Sequence, residues 1–272
     1  TYNRSELLIR AVNSVLAQDY RPLEIIIVDD ASTYSSSQMV EKLFQPLKLQ
    51  SDIQFSYLIQ DKNSGACAAR NRAIMAASGE FITGLDDDDE FMPTRVSQLV
   101  NEWDESYSAL CTSLEIDHGE NKITFLNKHV GSITLKKLLD KNVVGSQIFT
   151  LTERLRSIGG FDEDFPAWQD YECWIRMALS FGAIKKLPEP TYRVHTSHDQ
   201  PRITSDERSI AAINLLWKKH GKKLNANQKR LLKYKEFKAR KKPYLSLREW
   251  YPAMTFRTAP RILKRWIKEV MH

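Results

Sequence analysis

The sequence lacks most of the devices that would give it a quick reading. It has three cysteines in 272 residues (Cys67, Cys111 and Cys173), an odd number without CxxC spacing. That argues against a disulfide scaffold or a structural zinc site and points to a reducing compartment. Such cysteines read as small apolar fillers. No run approaches the roughly 18 apolar residues of a membrane-spanning helix. The longest apolar stretch, residues 23–28, is broken by Glu24 and is strand-sized. The opening residues carry no signal-peptide pattern, and none is expected. There is no internal repeat and no low-complexity segment, and neither GxxxxGK[ST] nor GxGxxG occurs, so the standard phosphate-loop and dinucleotide fingerprints are missing.

What is present is a chain with 42% hydrophobic and 27% charged residues, the balance of a folded globular protein. At roughly 100–200 residues per domain, its length allows one large α/β domain or one domain with an appendage. The net charge of +6 hides two opposite bodies. Residues 1–214 hold 22 basic and 31 acidic side chains, whereas residues 215–272 hold 18 basic and 3 acidic. An acidic body suggests a metal or cationic ligand; a basic tail suggests an anionic partner.

Hydrophobic periodicity predicts a helix over 5–18 with Ser5 as N-cap, then a buried parallel strand over 23–28 that stops at Asp29-Asp30. A helix over 39–47, a strand over 54–59, a helix over 65–77 and a short strand over 80–85 follow, the last ending in Asp86-Asp87-Asp88-Asp89. This alternation predicts an α/β fold with a mostly parallel sheet flanked by helices. In such sheets ligands bind beyond the carboxyl ends of the strands, where both acidic clusters fall. Farther on, helices are expected up to residue 105, over 134–139 and over 170–181. Strands are expected over 109–116, 122–126, 147–151, 183–187 and 192–195. Beyond residue 205 the chain reads as helical and basic, and its last stretch is an amphipathic cationic helix.

Four consecutive carboxylates repel one another. Read alone they fit a solvated acidic loop or a site for a hard cation such as Mg²⁺ or Mn²⁺, which takes one or two carboxylates plus substrate phosphates. Asp29-Asp30 fits an acidic helix cap or an acceptor for a base N–H or ribose hydroxyls. Residues 63–71, NSGACAARN, open a helix with small side chains. They fit either close helix–sheet packing or a backbone approach to a ligand, with Arg70 placed to neutralise a phosphate or pair with the carboxylates.

Together these segments resemble the family 2 glycosyltransferases of the GT-A fold. The resemblance runs through Thr1-Tyr2-Asn3-Arg4, Val28-Asp29-Asp30-Ala31-Ser32, Asn63-Ser64-Gly65 to Arg70-Asn71 and Leu85-Asp86-Asp87-Asp88-Asp89, over about residues 1–200. It is nearest to enzymes that build bacterial O-antigen and lipopolysaccharide sugars. It implies a Rossmann-like domain over 1–205, with a nucleotide-sugar half (1–105) and an acceptor half (106–205), and a basic helical extension over 206–272. It implies that Thr1, Tyr2, Asp29 and Asp30 surround the uridine of a UDP-sugar, with Arg70 and Asp87 in the donor pocket. Asp86 then lies near the ribose, and Asp88 carries Mn²⁺ or Mg²⁺ on the diphosphate. The segment Trp168-Gln169-Asp170 is similar to one that supplies the general base of inverting members, which makes Asp170 the candidate base and Glu172 the alternative. Read from residues alone, Asp170 equally fits a helix cap. Gln169 stands where the family usually has Glu, and Trp168 is placed to stack on a sugar. His195, otherwise readable as structural, corresponds to a C-terminal histidine that joins the metal or diphosphate, with His198 as a weaker candidate. Residues 142–147 are expected near the same cavity. The family's central first strand is expected ahead of Thr1, in a segment outside the numbered chain.

These readings imply an inverting, metal-dependent transfer of one sugar, glucose by resemblance, to a lipid-linked acceptor such as an undecaprenyl-diphosphate sugar. Another UDP-sugar or a capsule acceptor is the alternative. Processive synthases carry QxxRW and spanning helices, whereas here Ile262 stands in place of Gln. The tail, rich in Lys, Arg and aromatic residues, is expected to dock on an anionic membrane surface at the inner face of the cell membrane. Against this stand a nucleotidyltransferase, which would need a Gly-rich phosphate loop with Lys, and a nucleic-acid binder, which leaves the aligned carboxylates unexplained.

Overall fold

The computed structural model describes residues 1–33, 38, 40–42, 44, 51–126, 130–145, 147–196, 205–240, 251–256 and 258–270, the last six by their backbone alone. The expected helix over 39–47 and the candidate His198 lie largely or wholly outside the described residues.

The chain divides into two compact units. The first comprises residues 1–138, 142–163 and 170–200. Helix α1 (Ser5–Leu16) buries Leu8 and Val12 against Ile25 and Ile27 of β1 (Leu23–Asp29) and Ile53 and Phe55 of β2 (Ile53–Ile59). Burying such aliphatic side chains contributes roughly 1.5–3 kcal/mol each. The N-cap of α1 is Arg4 rather than Ser5, and no side chain caps it. Strands β1 and β2 pair in parallel from Leu23↔Ile53 to Asp29↔Ile59. Their ends, with α2 (Ala66–Ala76), carry the first half of the acidic site.

A second sheet has the order β3-β8-β5-β9-β4, with β6 on β5 and β7 on β9. Its strands are β3 (Phe81–Thr83), β4 (Glu90–Phe91), β5 (Ala109–Asp117), β6 (Ile123–Leu126), β7 (Gly131–Ile133), β8 (Phe149–Leu151) and β9 (Ile184–His195). The long central pairing, β5 with β9, is parallel; the others in this sheet are antiparallel. The parallel pattern expected of the sheet therefore holds for β1–β2 and β5–β9, while the short strands fold back on this frame. The two strands expected over 183–187 and 192–195 form one irregular strand. Its register shifts opposite Ser113, where Pro188 and Pro190 cannot donate to the ladder. Helix α3 (Arg95–Asn101) packs Leu99 on Leu110, Phe149 and Leu187. Helices α4 (Leu135–Asp140) and α6 (Gln169–Phe181) match their expected positions, but the short α5 (Thr152–Ser157) has no counterpart in the sequence reading.

The second unit gathers residues 139–141, 164–169 and 201–272. Helix α7 (Asp206–His220) is capped by the Ser205 side chain, with Asp206 and Glu207 in its first turn and Lys218, Lys219 and His220 in its last, as the helix dipole favours. It buries Ala212, Ile213 and Leu216. On α8 (Ala226–Arg240), Glu236 receives Lys233 and Arg240 at 2.9 and 2.8 Å. Ala253 and Ile262, the latter on α9 (Ala259–Val270), pack with Tyr234, Phe237 and Met254. Among the described residues no helix is long and apolar enough to cross a membrane.

Candidate active site

The site begins where β1 ends. Asp29 and Asp30 are 1% and 5% exposed, and each is held by a specific set of donors. Asp29 accepts from the Ser32 N–H at 2.7 Å and from the Tyr57 hydroxyl. Asp30 accepts from the Ser64 and Gly65 N–H groups, both at 2.7 Å, and from Gln60. Asp30 thereby ties the 63–65 loop to the strand end. Gly65 sits at φ +89°, a backbone setting that L side chains rarely adopt, and leads directly into α2. Thr1 lies alongside: its nitrogen donates to Val28 O and its carbonyl accepts from Asp30 N, both at 2.8 Å. The Thr1 hydroxyl is buried with no hydrogen-bond partner among the described residues. Tyr2 is 47% exposed beside it.

The second acidic cluster is a turn closed by Asp89 N–H donating to Asp86 O at 3.1 Å. Its four carboxylates take different positions. Asp86 receives Arg70 Nη2 at 2.8 Å and Gln147 Nε2 at 3.0 Å. Asp87 and Asp88 share Arg4 Nη1 at 3.2 and 3.4 Å and stay partly exposed. Asp89 turns inward, accepting from the Tyr192 hydroxyl at 2.9 Å and from His195 N–H at 3.1 Å. Burial, with the neighbouring charges of Asp86 and Asp88, pushes the Asp89 carboxyl up to about 8. Even with Asp89 protonated, Asp86, Asp87 and Asp88 outnumber Arg4 and Arg70, and the donors are hard oxygens, so the cluster fits Mg²⁺ or Mn²⁺. Among the described residues no three His, Cys, Asp or Glu side chains form a ready cage.

Helix α2 links this turn to the later half of the unit. Burial works against the Arg70 cation, but Asp86 more than offsets this and holds its pKa above the ordinary value. The guanidinium also stacks over Phe161, 5.3 Å from the ring centroid. Next to it, Asn71 donates to Phe161 O at 2.8 Å and accepts from Phe161 N–H at 2.7 Å. The turn it grips contains Gly160, where φ is +63° and a Cβ would come within 2.4 Å of Asn71 Oδ1. Arg176 holds the same turn from α6, donating to Ile158 O and Gly160 O, and pairs at 2.7 Å with Glu172. Glu172, the alternative base, is thus 1% exposed and ion-paired.

Asp170 stands in the first turn of α6, half-buried, accepting from Asn142 Nδ2 at 3.0 Å. Burial pushes its carboxyl up to about 6, against the lowering effects of the Tyr171 N–H and Arg70. Asp86 adds to the rise, so Asp170 shares one electrostatic field with the Arg70–Asp86 pair. A carboxylate near 6 is poised to accept a proton at neutral pH.

The structure thus brings together Thr1, Asp29 and Asp30 at one strand end, and Arg70, Asp86 and Asp170 around the next. His195 meets Glu90 and Asp117 with its two ring nitrogens, the latter at 3.1 Å; its main-chain N–H serves the acidic turn. Trp168 and Gln169 belong to the second unit. There Lys235 Nζ lies 5.5 Å above the Trp168 ring. Burial and then Lys141 lower the Lys235 pKa to about 8. Sequence reasoning assigned no individual role to Gln147, Asn142 or Tyr192. One signal for Gln147 was available in Gly84, whose missing Cβ makes the room: a Cβ there would lie 2.2 Å from Gln147 Oε1.

The profile described as Glycosyl transferase family 2 matches residues 1–159. The putative colanic acid biosynthesis glycosyl transferase WcaA of Escherichia coli K12 is 36% identical over 247 residues, covering 89% of this chain and 86% of that protein. The GalNAc(5)-diNAcBac-PP-undecaprenol beta-1,3-glucosyltransferase of Campylobacter jejuni is 27% identical over 257 residues, 92% of this chain and 80% of its own. Among solved structures, residues 1–349 of Staphylococcus aureus TarS in complex with UDP-GlcNAc superimpose with a TM-score of 0.65 at 19% identity, over 99% of this chain and 77% of that one.

Proposed function

Because the chain belongs to glycosyltransferase family 2, we propose that it transfers one glucose from UDP-glucose to a lipid-linked saccharide in the assembly of a bacterial surface polysaccharide. The acceptor is an undecaprenyl-diphosphate sugar of O-antigen type, and the linkage formed is β. The UDP-GlcNAc complex of TarS supports the donor class. The undecaprenol acceptor and glucosyl transfer in the name of the C. jejuni relative, with the colanic acid relative, support the acceptor class and the pathway type.

In this reading Thr1, Tyr2, Asp29 and Asp30 frame the uridine, and Asp86 and Asp87 the ribose side. Asp170 takes the proton of the acceptor hydroxyl as its oxygen bonds to the anomeric carbon. The bond from that carbon to the diphosphate breaks, and UDP leaves with the electron pair. Asn142 fixes the Asp170 carboxylate for this step. Arg70, held by Asp86, presents its charge to the diphosphate. Mn²⁺ or Mg²⁺ on Asp88 would stabilise the charge that develops on the leaving group. What supports the reading is the arrangement of Arg70 paired with Asp86 at 2.8 Å and Asp170 held by Asn142 at 3.0 Å, with burial raising the Asp170 carboxyl to about 6. The basic second unit is the natural membrane contact, seating the protein peripherally on the inner face of the cell membrane.

The test is UDP release from a panel of UDP-sugars with an undecaprenyl-diphosphate sugar, in Mn²⁺, in EDTA, and with Asp88→Ala and Asp170→Ala. One donor should be consumed, with EDTA and Asp88→Ala abolishing turnover and Asp170→Ala crippling transfer. If no UDP-sugar binds or turns over in the presence of metal, the donor class is wrong.

A further inference from the structure

The acidic turn raises a physical problem that the proposed chemistry does not answer. Four adjacent carboxylates should push one another apart, yet Asp86 and Asp88 have to be presented in one fixed arrangement. The turn needs an anchor that is not itself one of the working carboxylates.

Tyr192 of β9 occupies that place. It is 1% exposed, and its hydroxyl touches both ends of the turn. It accepts from Asp86 N–H at 3.3 Å and donates to Asp89 Oδ2 at 2.9 Å. A single oxygen therefore joins the first and last residues of the four. The ring itself is fixed from behind. Arg95, 1% exposed, lies 5.3 Å from the Tyr192 centroid and 4.8 Å from that of Phe91. The Arg95 guanidinium donates to the Thr112 and Thr191 hydroxyls at 2.9 and 3.1 Å. Buried arginine normally sits against a carboxylate. Here the groups around it are two aromatic rings and two hydroxyls, a setting that stiffens the ring. Phe91, Leu114 and Tyr192 complete a buried cluster under the turn.

We propose that Tyr192 is a positioning residue: its hydroxyl, with Asp89 as the inward anchor, fixes the Asp86–Asp89 turn so that Asp86 faces the ribose side of the donor and Asp88 the cation on its diphosphate. This rests on the reading of the site as a metal-dependent nucleotide-sugar site. Division of labour follows among the four aspartates, with Asp89 holding the turn down and Asp86 to Asp88 facing outward.

The test is Tyr192→Phe, which keeps the ring and removes the hydroxyl. Mn²⁺ binding to the UDP complex is measured by calorimetry, and the Mn²⁺ dependence of UDP release is followed alongside. The expected result is a rise of about tenfold in both the Mn²⁺ dissociation constant and the half-saturating Mn²⁺, with kcat at saturating Mn²⁺ largely recovered. A purely structural role would lower kcat and the thermal midpoint while leaving the half-saturating Mn²⁺ unmoved, and that outcome overturns the proposal. If Tyr192→Phe folds poorly, Asp89→Asn on its own should raise the half-saturating Mn²⁺ about tenfold, and an unmoved value overturns the proposal; where the variants fold, the two sites are also tested together. Asp89→Ala and the double variant Asp89→Ala/Tyr192→Phe should show nearly the same Mn²⁺ affinity, because both act on one anchor. Additive losses overturn the idea. If the wild-type protein itself binds no UDP with Mn²⁺, the failure belongs to the functional reading and not to the anchor.

Discussion

The acidic turn of the first unit and the basic helices of the second hold charge in opposite ways. In the turn, every carboxylate has a geometric assignment: Asp86 to Arg70 and Gln147, Asp87 and Asp88 to Arg4, Asp89 to Tyr192 and His195. In the second unit, Glu236 serves two cations by itself, and residues 215–272 carry an excess of fifteen positive charges. Where the fold holds each charge, position decides function and a single substitution should be severe. Where charge is merely accumulated, the sum decides and single substitutions should be mild.

The sharpest test of that contrast is Asp170→Asn. A general base contributes on the order of 10²–10⁴-fold, so kcat should fall about a thousandfold while the donor KM changes only slightly. The same residue sets a pH dependence. Only the carboxylate form accepts a proton, so kcat of the wild type should be flat above pH 6 and fall toward tenfold per unit as the pH drops below it. A variant within tenfold of wild type would break the assignment.

A smaller effect is expected from Gly160→Ala, which forces a side chain into a left-handed position and against Asn71 Oδ1. Strain of this kind costs roughly 1–3 kcal/mol, to be read as a lowered urea midpoint. The smallest effects belong to the basic unit. Each cation near an anionic surface contributes on the order of 1 kcal/mol. Replacing Lys222 alone by Gln should therefore shift binding to phosphatidylglycerol vesicles only a fewfold, whereas neutralising Lys218, Lys219, Lys222 and Lys223 together should release the protein. If one lysine carries most of the binding, the second unit holds a specific site and the comparison fails.

Much of the site could be read from the sequence because its signals are local. An apolar run ending in carboxylates marked the end of β1, which is buried up to Asp29, whereas the run before Asp86 gave only the short, half-buried β3, which stops at Thr83. The small residues opening α2 were equally plain, since Gly65 has to adopt positive φ there. The supports were hidden because each is one contact between distant segments. Gln147 reaches Asp86 across 61 residues, Asn71 grips Phe161 across 90, and Tyr192 reaches Asp89 across 103. No periodicity encodes such pairs. The sequence predicts two strands over 183–187 and 192–195, whereas the chain bulges past Pro188 and Pro190 and continues as one strand.

Arg70 has one more consequence. Its guanidinium is already stacked on Phe161 and paired with Asp86, partly withdrawn from solvent. A flexible cation recruited from water would lose both rotamer freedom and hydration when a diphosphate arrived. Under the proposed function, Asp86 is a resting counter-ion that keeps the cation in place between turnovers, and departure of UDP returns Arg70 to a partner already in position.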